Sequence, residues 1–432
     1  MSIFGALGAA VSGLAANSNA LGIISDNISN SNTIGYKDTS TDFKTLVTAS
    51  GSPSLYSPGG VESSPMYNVA QQGVLQAESS PTDLAISGGG FFVVNSSSAG
   101  SNNGAITYTR AGNFSVDSNG NLVNAAGLYL QGQPLTNAEA AQVQAGNYNV
   151  LATTTPSLLQ TVNVSNNAGT AQQTSNVSLI ANLPAAGGGT NPTMTVPVYD
   201  SLGVQHNMTL TFTPTGTANQ WTVAASFTGS GTSTATIAAG DNKIQFNTDG
   251  TLNAAGTTFN AASALSVAWD PAVTGGTSPQ TLNFNLGANG TSSGLSQIGT
   301  SFTVGQINQD GVQFGNFSGV TINQSGIVTA NYDNGLTRPI YILPIGTFSD
   351  PNGLQPQSGN TYSETNSSGS AVLREAGTGS AGAIAPSSLE DSTVDIATEF
   401  SNLIVTQRAY EANSKIITTA DQMLQTLIQA KQ

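Results

Sequence analysis

The sequence predicts an α+β chain, mainly β, carrying a long helical segment at each end. Two observations predict it. Apolar residues recur every seventh position near both termini. The stretch between alternates apolar and polar residues and is punctuated by tight-turn dipeptides.

Within residues 2–32, Leu7, Leu14, Leu21 and Ile28 are spaced by seven, with Phe4 and Val11 beside them at heptad offsets. Gly5, Gly8, Gly13 and Gly22 interrupt this segment, each costing about 1 kcal/mol relative to Ala inside a helix. Burying a Leu or Ile returns about 1.5–3 kcal/mol, but only against a partner. The first helix is therefore expected to need another helix to fold on. At the other end, Ser387 and Glu390 have capping-box spacing, and Asp391 and Asp395 favour a first turn through the dipole. Ile396, Leu403, Tyr410, Ile417 and Leu424 then repeat every seventh position, widened by Phe400, Ala420, Leu427 and Ile428, with Lys431 near the end. Stretches holding Pro53, Pro58, Gly59, Gly60 and Pro65, and running from Gly369 to Pro386, set both segments apart from the middle. The expectation is a separate, coiled-coil-like terminal unit in which these apolar positions form a self-assembly seam.

From about residue 70 to 375 the chain reads as β. Alternation is clear in Met194, Val196, Val198, in Met208, Leu210, Phe212, and in Trp221, Val223, Ala225, Phe227. Asn119-Gly120, Asp249-Gly250, Asp310-Gly311 and Asn334-Gly335 predict tight turns. Low-complexity stretches near 165–192 and 228–242 predict loops or domain seams, and no βαβ rhythm is visible.

Composition narrows the function classes. Only 7% of the 432 residues are charged, against roughly 25% in an ordinary soluble protein. Ser, Thr, Asn, Gln and 49 Gly must cover the surface, which repels copies of itself weakly. A net charge of −14 with nine scattered basic residues argues against nucleic acid. Cysteine is absent, which excludes disulfides and thiolate chemistry. No run approaches the ~20 apolar residues of a membrane span, so membrane insertion is not expected. The apolar N-terminus lacks a basic n-region, Lys37 being the first cation, so signal cleavage is not expected either.

Chemical sites fare poorly. Gly88-Gly89-Gly90 precedes the strand-like Phe91-Phe92-Val93-Val94, so it reads as a close backbone approach and not a phosphate loop. Asp117, Asn119 and Asn121 lack the Gly and closing Glu of a calcium loop and read as a hairpin turn. His206 stands alone, on a strand. No catalytic, metal or cofactor set is expected. Glu62 and Glu78 keep one alternative class open, a secreted β-rich carbohydrate enzyme or adhesin.

The sequence Ser25-Asp26-Asn27-Ile28-Ser29-Asn30-Ser31-Asn32-Thr33-Ile34-Gly35-Tyr36-Lys37 resembles the Asn-rich N-terminal signature of the bacterial flagellar rod and hook axial protein family. Val405 to Lys415 is similar to that family's closing helix. Asp83 to Val94, with Gly88, Gly90, Phe91 and Phe92, and Tyr108 to Phe114, with Arg110 and Gly112, resemble its shared β domain. Val198 to His206 and Asn331 to Pro339 resemble hook-type members in particular; a distal rod subunit is the alternative within the family. The resemblance implies a terminal helical assembly domain of residues 1–70 with 378–432. It implies a discontinuous inner β domain of 71–150 with 305–377, and an inserted outer β domain of 151–304. It further implies a structural homopolymer, a curved tube serving as a universal joint in the extracellular flagellum. Its partners would be rod and hook–filament junction proteins at the two ends, and a cap and the type III export apparatus during assembly.

Overall fold

The computed structural model describes residues 3–46, 59–99, 104–146, 158–165, 169–185, 191–227, 235–237, 242–257, 264–269 and 280–429. They form two compact units, one of Met1–Asn166, Gly319–Ala330 and Arg338–Gln432, the other of Asn167–Ser318 and Asn331–Thr337. Pro53, Pro58, Lys431, the side chain of Leu427 and most of 228–242 lie outside the described residues.

The first unit carries the terminal helices, α1 (Ile3–Ser29) and α3 (Ile396–Gln429), packed together. A hairpin of Thr39–Leu46 and Gly60–Tyr67 lies along α1. It places Pro65 opposite Thr41, so part of the Pro-rich stretch is ordered sheet rather than spacer. By length and composition α1 could cross a membrane, but two of its polar side chains bond to the hairpin. The Ser12 hydroxyl accepts from the Val61 amide at 3.2 Å, and the Asn19 amide donates to Ser63 Oγ at 3.2 Å.

In the β part of this unit, Phe91–Asn95 pairs with Ile106–Thr109, Tyr129–Pro134 and Pro344–Thr347. Its core gathers Val69, Phe91, Val93, Tyr108, Leu159, Leu354 and Tyr362. The Gly369–Pro386 stretch is not a spacer. Val372–Glu375 pairs with Pro344–Thr347, and Ala383–Pro386 pairs with Leu84–Ser87. A short helix, α2 (Asn137–Gln144), sits in what reads as β; Thr136 and Glu139 form its capping box.

Two sheets of the second unit share one core. Thr193–Tyr199, Gln205–Pro214, Gln220–Phe227 and Lys243–Gln245 form one sheet. Asn176–Asn182 is central in the other, parallel to Gln280–Asn285 and antiparallel to Thr303–Gln309. Met194, Val196, Val198, Met208, Leu210, Phe212, Trp221 and Val223 all point inward, as their alternation predicts, and meet Val177, Leu179, Leu282 and Phe284. The expected loop near 165–192 thus holds a core strand: Val177, Leu179 and Ala181 are buried, with small or polar neighbours diluting the signal. Asp310-Gly311 is a junction and not a hairpin, because the strands on either side pair elsewhere. The Asp310 carboxylate accepts from the Ser175 and Asn176 amides at 2.7 and 2.9 Å. Thr303–Gln309 belongs to this unit and Gln160–Thr161 to the first, which places the unit limits at 167 and 318 instead of 151 and 304. Asn119-Gly120 does turn a hairpin, with Asp117 Oδ1 accepting from the Asn119 and Asn121 amides at 2.8 Å.

Candidate assembly interface

The two helices run antiparallel: Asn27 donates to Glu399 at 3.1 Å, and fourteen residues further along each helix, in opposite senses, Gly13 abuts Asn413. A Cβ on Gly13 would lie 2.8 Å from Asn413 Nδ2. The buried line of α1 is Ala10, Gly13, Ala16, Ala20, Ile24 and Asn27. Small side chains here let the helix axes approach. The leucine series stands to one side of this line: Leu7, Leu14, Leu21 and Ile28 are half-buried, while Phe4 is 74% and Val11 50% exposed. On α3 the less exposed line includes Leu403, Asn413, Ile417, Ala420 and Leu424. Ile396, Phe400, Tyr410 and Ile428 face outward, and so do Ile404, Val405, Ile416 and Met423, which heptad counting from Ile396 passes over.

A polar junction roots the helices on the β domain. Asn27, buried on α1, donates to the Thr39 carbonyl and to Glu399, and accepts from the Tyr36 hydroxyl and the Thr39 amide. Burial pushes the Tyr36 hydroxyl and the Glu399 carboxyl above their ordinary values. Gly35 is left-handed at φ +66°, and a Cβ there would strike the Arg110 backbone at 2.6 Å. Its amide donates to the Glu390 carbonyl at 2.7 Å. Lys37 Nζ then reaches Glu390 Oε1 at 2.5 Å, and Arg110 reaches Glu390 Oε2 at 3.0 Å, all three side chains being buried. The Gly73 amide adds a third donor to this carboxylate, at 2.6 Å. Burial lowers the Lys37 ammonium below its usual value, with the Glu390 charge opposing that shift.

This overturns the capping-box reading of Ser387 and Glu390. Ser387 is left-handed at φ 50°, and Ser388–Glu390 is a strand paired with Leu75–Ala77. Asp391 lies outside the helix, its amide donating to the Val74 carbonyl at 2.8 Å. The cap of α3 is Asp395, whose Oδ1 accepts from the Ala397 and Thr398 amides at 2.9 and 3.1 Å. Spacing alone could not separate the two acids, since Glu390 is defined by partners 353 and 280 residues away.

The remaining motif residues serve the same junction. Arg110 donates to the Gly88 carbonyl at 2.8 Å and lies over the Phe91 ring at 5.2 Å. Gly90, at φ +115°, leaves room for Ile345, and a Cβ on Gly112 would overlap the Leu84 carbonyl at 1.7 Å. Phe92 and Phe114 meet edge to face at 5.8 Å. Asn30 follows the end of α1, donating to the Asp26 carbonyl and accepting from the Thr33 hydroxyl. Asn32 borders a cleft of about 620 Å³ with Ile34, Tyr36, Asn360 and Tyr362. His206 is a strand residue, 3.1 Å from Asp200.

Residues 7–37 match the family described as flagella basal body rod protein, and 85–171 the flagellar hook protein FlgE/F/G D1 domain. Residues 181–312 match the flagellar basal body protein FlaE D2 domain, and 385–430 the flagellar basal body rod FlgEFG protein C-terminal. The chain is 35% identical to the flagellar hook protein FlgE of Rhizobium meliloti over 433 residues, covering 100% of both. The chain belongs to the flagellar hook protein FlgE family. It is also 32% identical to the FlgE of Caulobacter vibrioides, covering 100% of both, and 32% identical to that of Escherichia coli, covering 97% of this chain and 98% of the other. Membership in the FlgE family makes it a structural subunit of the flagellar hook, where it polymerises, and not an enzyme. Neither the carbohydrate-enzyme nor the distal-rod alternative is favoured by these matches.

Proposed function

We propose that this FlgE-family chain builds a curved hollow tube outside the cell, a universal joint that carries torque from rod to filament. The observation that carries this reading is the pair of terminal helices whose large apolar residues, Phe4 and Phe400 among them, stay exposed in the single chain. Helices of this kind gain their stability from neighbours. In the proposed arrangement residues 1–70 with 378–432 form the inner wall. The β part of the first unit is the middle shell, and the second unit, residues 167–318 with 331–337, faces outward. The leucine seam would be spent between copies, since α1 buries its alanine line within the chain. Export as an unfolded chain, without a cleaved signal, fits an N-terminal helix that stays incomplete until assembly. A cap would guide growth, and rod and junction proteins would meet the two ends.

The test is a chain of residues 30–395, which keeps Lys37, Arg110 and Glu390 but loses both helices. It is expected to fold in both β units and to form no polymer by electron microscopy. Tubes of ordinary width from this chain would sink the reading.

A further inference from the structure

α3 offers apolar residues on three sides, and α1 covers only one. Ile396, Phe400 and Ile404 follow one another at four-residue steps over its first three turns, and are 45%, 52% and 50% exposed. Val405, Ile416 and Met423 are 67%, 46% and 48% exposed and are separated by eleven and seven residues, which returns each to nearly the same side. At roughly 100° per residue the two stripes lie about 150° apart around the helix, one on each flank of the α1 contact. Arg408 and Lys415 occupy the line between them, and both are exposed. A charged line of this kind divides one broad apolar face into two narrow ones. The stripes are also displaced along the axis, one near the root of α3 and the other running on towards its end.

We infer that the root stripe of one copy packs on the distal stripe of the next, a head-to-tail contact between α3 helices. This rests on the reading of the chain as a polymerising subunit, and adds which surfaces meet. Two different stripes on opposite flanks suit a heterologous contact, because each copy then offers one free stripe to the next and the series stays open. An isologous pairing would bring identical stripes together, and successive copies would then alternate in direction instead of adding with one polarity. The axial displacement gives each added copy a rise along the tube, as a helical polymer requires.

The absence of cysteine from the chain makes the test direct. Single substitutions Ile396→Cys, Phe400→Cys and Ile404→Cys sample one stripe, and Val405→Cys, Ile416→Cys and Met423→Cys the other. Hooks are isolated from cells co-expressing one chain of each kind and oxidised, in all nine pairings. At least one pairing is expected to give 1:1 disulfide dimers, the matching double-cysteine chain a ladder, and no single-cysteine hook any dimer. Dimers from a single-cysteine hook, or intact hooks without cross-links in any of the nine pairings, would overturn the head-to-tail contact while leaving polymerisation standing. Phe400→Asp and Met423→Asp separate the two failures. Both are expected to abolish tubes, and normal tubes from both would overturn the helix-driven assembly as well.

Discussion

The inserted β unit and the terminal helix pair use their apolar residues in opposite ways. In the insertion, Trp221, Phe212, Leu210 and Phe284 are all but completely buried against one another within a single chain. Among the described residues of the helix pair the buried apolar ones are Ala10, Ala16, Ala20, Ile24 and Ala420, while Phe4, Phe400, Ile404 and Val405 are exposed. Charge is distributed in the opposite sense. The second unit spans Asp200, Asp241, Asp249, Asp270, Asp310, Asp333 and Lys243 with no Arg or Glu, whereas the roots of the helices converge on a buried Lys37–Glu390–Arg110 cluster. One region is finished as a monomer. The other is finished only at its root, and directional ionic contacts there hold α1 and α3 on the β domain while their outer faces wait for neighbours.

The largest expected effect tests that root. Glu390→Ala leaves Lys37 and Arg110 buried without their shared carboxylate, a loss of about 3–5 kcal/mol. Hydrogen exchange is expected to rise at residues 35–38, 73–75 and 388–395, with little change across 193–227. Uniform loosening of both units would show that the root is not a local clasp. A smaller but sharper contrast comes from paired truncations. Leu210→Ala empties a fully buried site and is expected to cost about 2–5 kcal/mol in thermal or denaturant unfolding of the insertion. Phe400→Ala is expected to change monomer stability by less than about 0.5 kcal/mol, yet to weaken hook assembly. Equal destabilisation of the monomer by both would erase the distinction between the two regions.

The same contrast explains what could be read in advance. Both long helices and the strands around Met194–Phe227 were legible because large residues recur at fixed intervals. The strand Asn176–Asn182 was not, since Ser and Asn mask its buried Val177 and Leu179. The buried line of α1 escaped for a similar reason: Ala and Gly give almost no hydrophobic signal, and close approach to α3 is what selects them. Glu390 was visible as an acid, but its role is fixed by partners brought together only by the fold. α2 is the exception: the Thr136–Glu139 spacing of its capping box is present in the sequence, within surroundings that read as β.

The smallest expected effect is in pH, and its sign should differ between the regions. Burial raises the Glu399 carboxyl, with the Asn27 hydrogen bond opposing. The folded helix root therefore holds a proton more readily than the unfolded chain. That contribution favours folding below the unfolded carboxyl value and is lost as pH rises through the folded one. For Asp310, burial also pushes upward, but donors from Asn176 and Ser175 prevail and the carboxyl is lowered. Its contribution is present above the unfolded value and is lost as pH falls through the folded one. Acidification from pH 6 towards 3 should then loosen the junction of 175–176 with 310 while tightening the helix root around Glu399, as hydrogen exchange corrected for intrinsic rates would record. Asp310→Asn should flatten the first response and Glu399→Gln the second. Persistence of either response in its own variant would assign it to other carboxylates and remove the electrostatic half of the comparison.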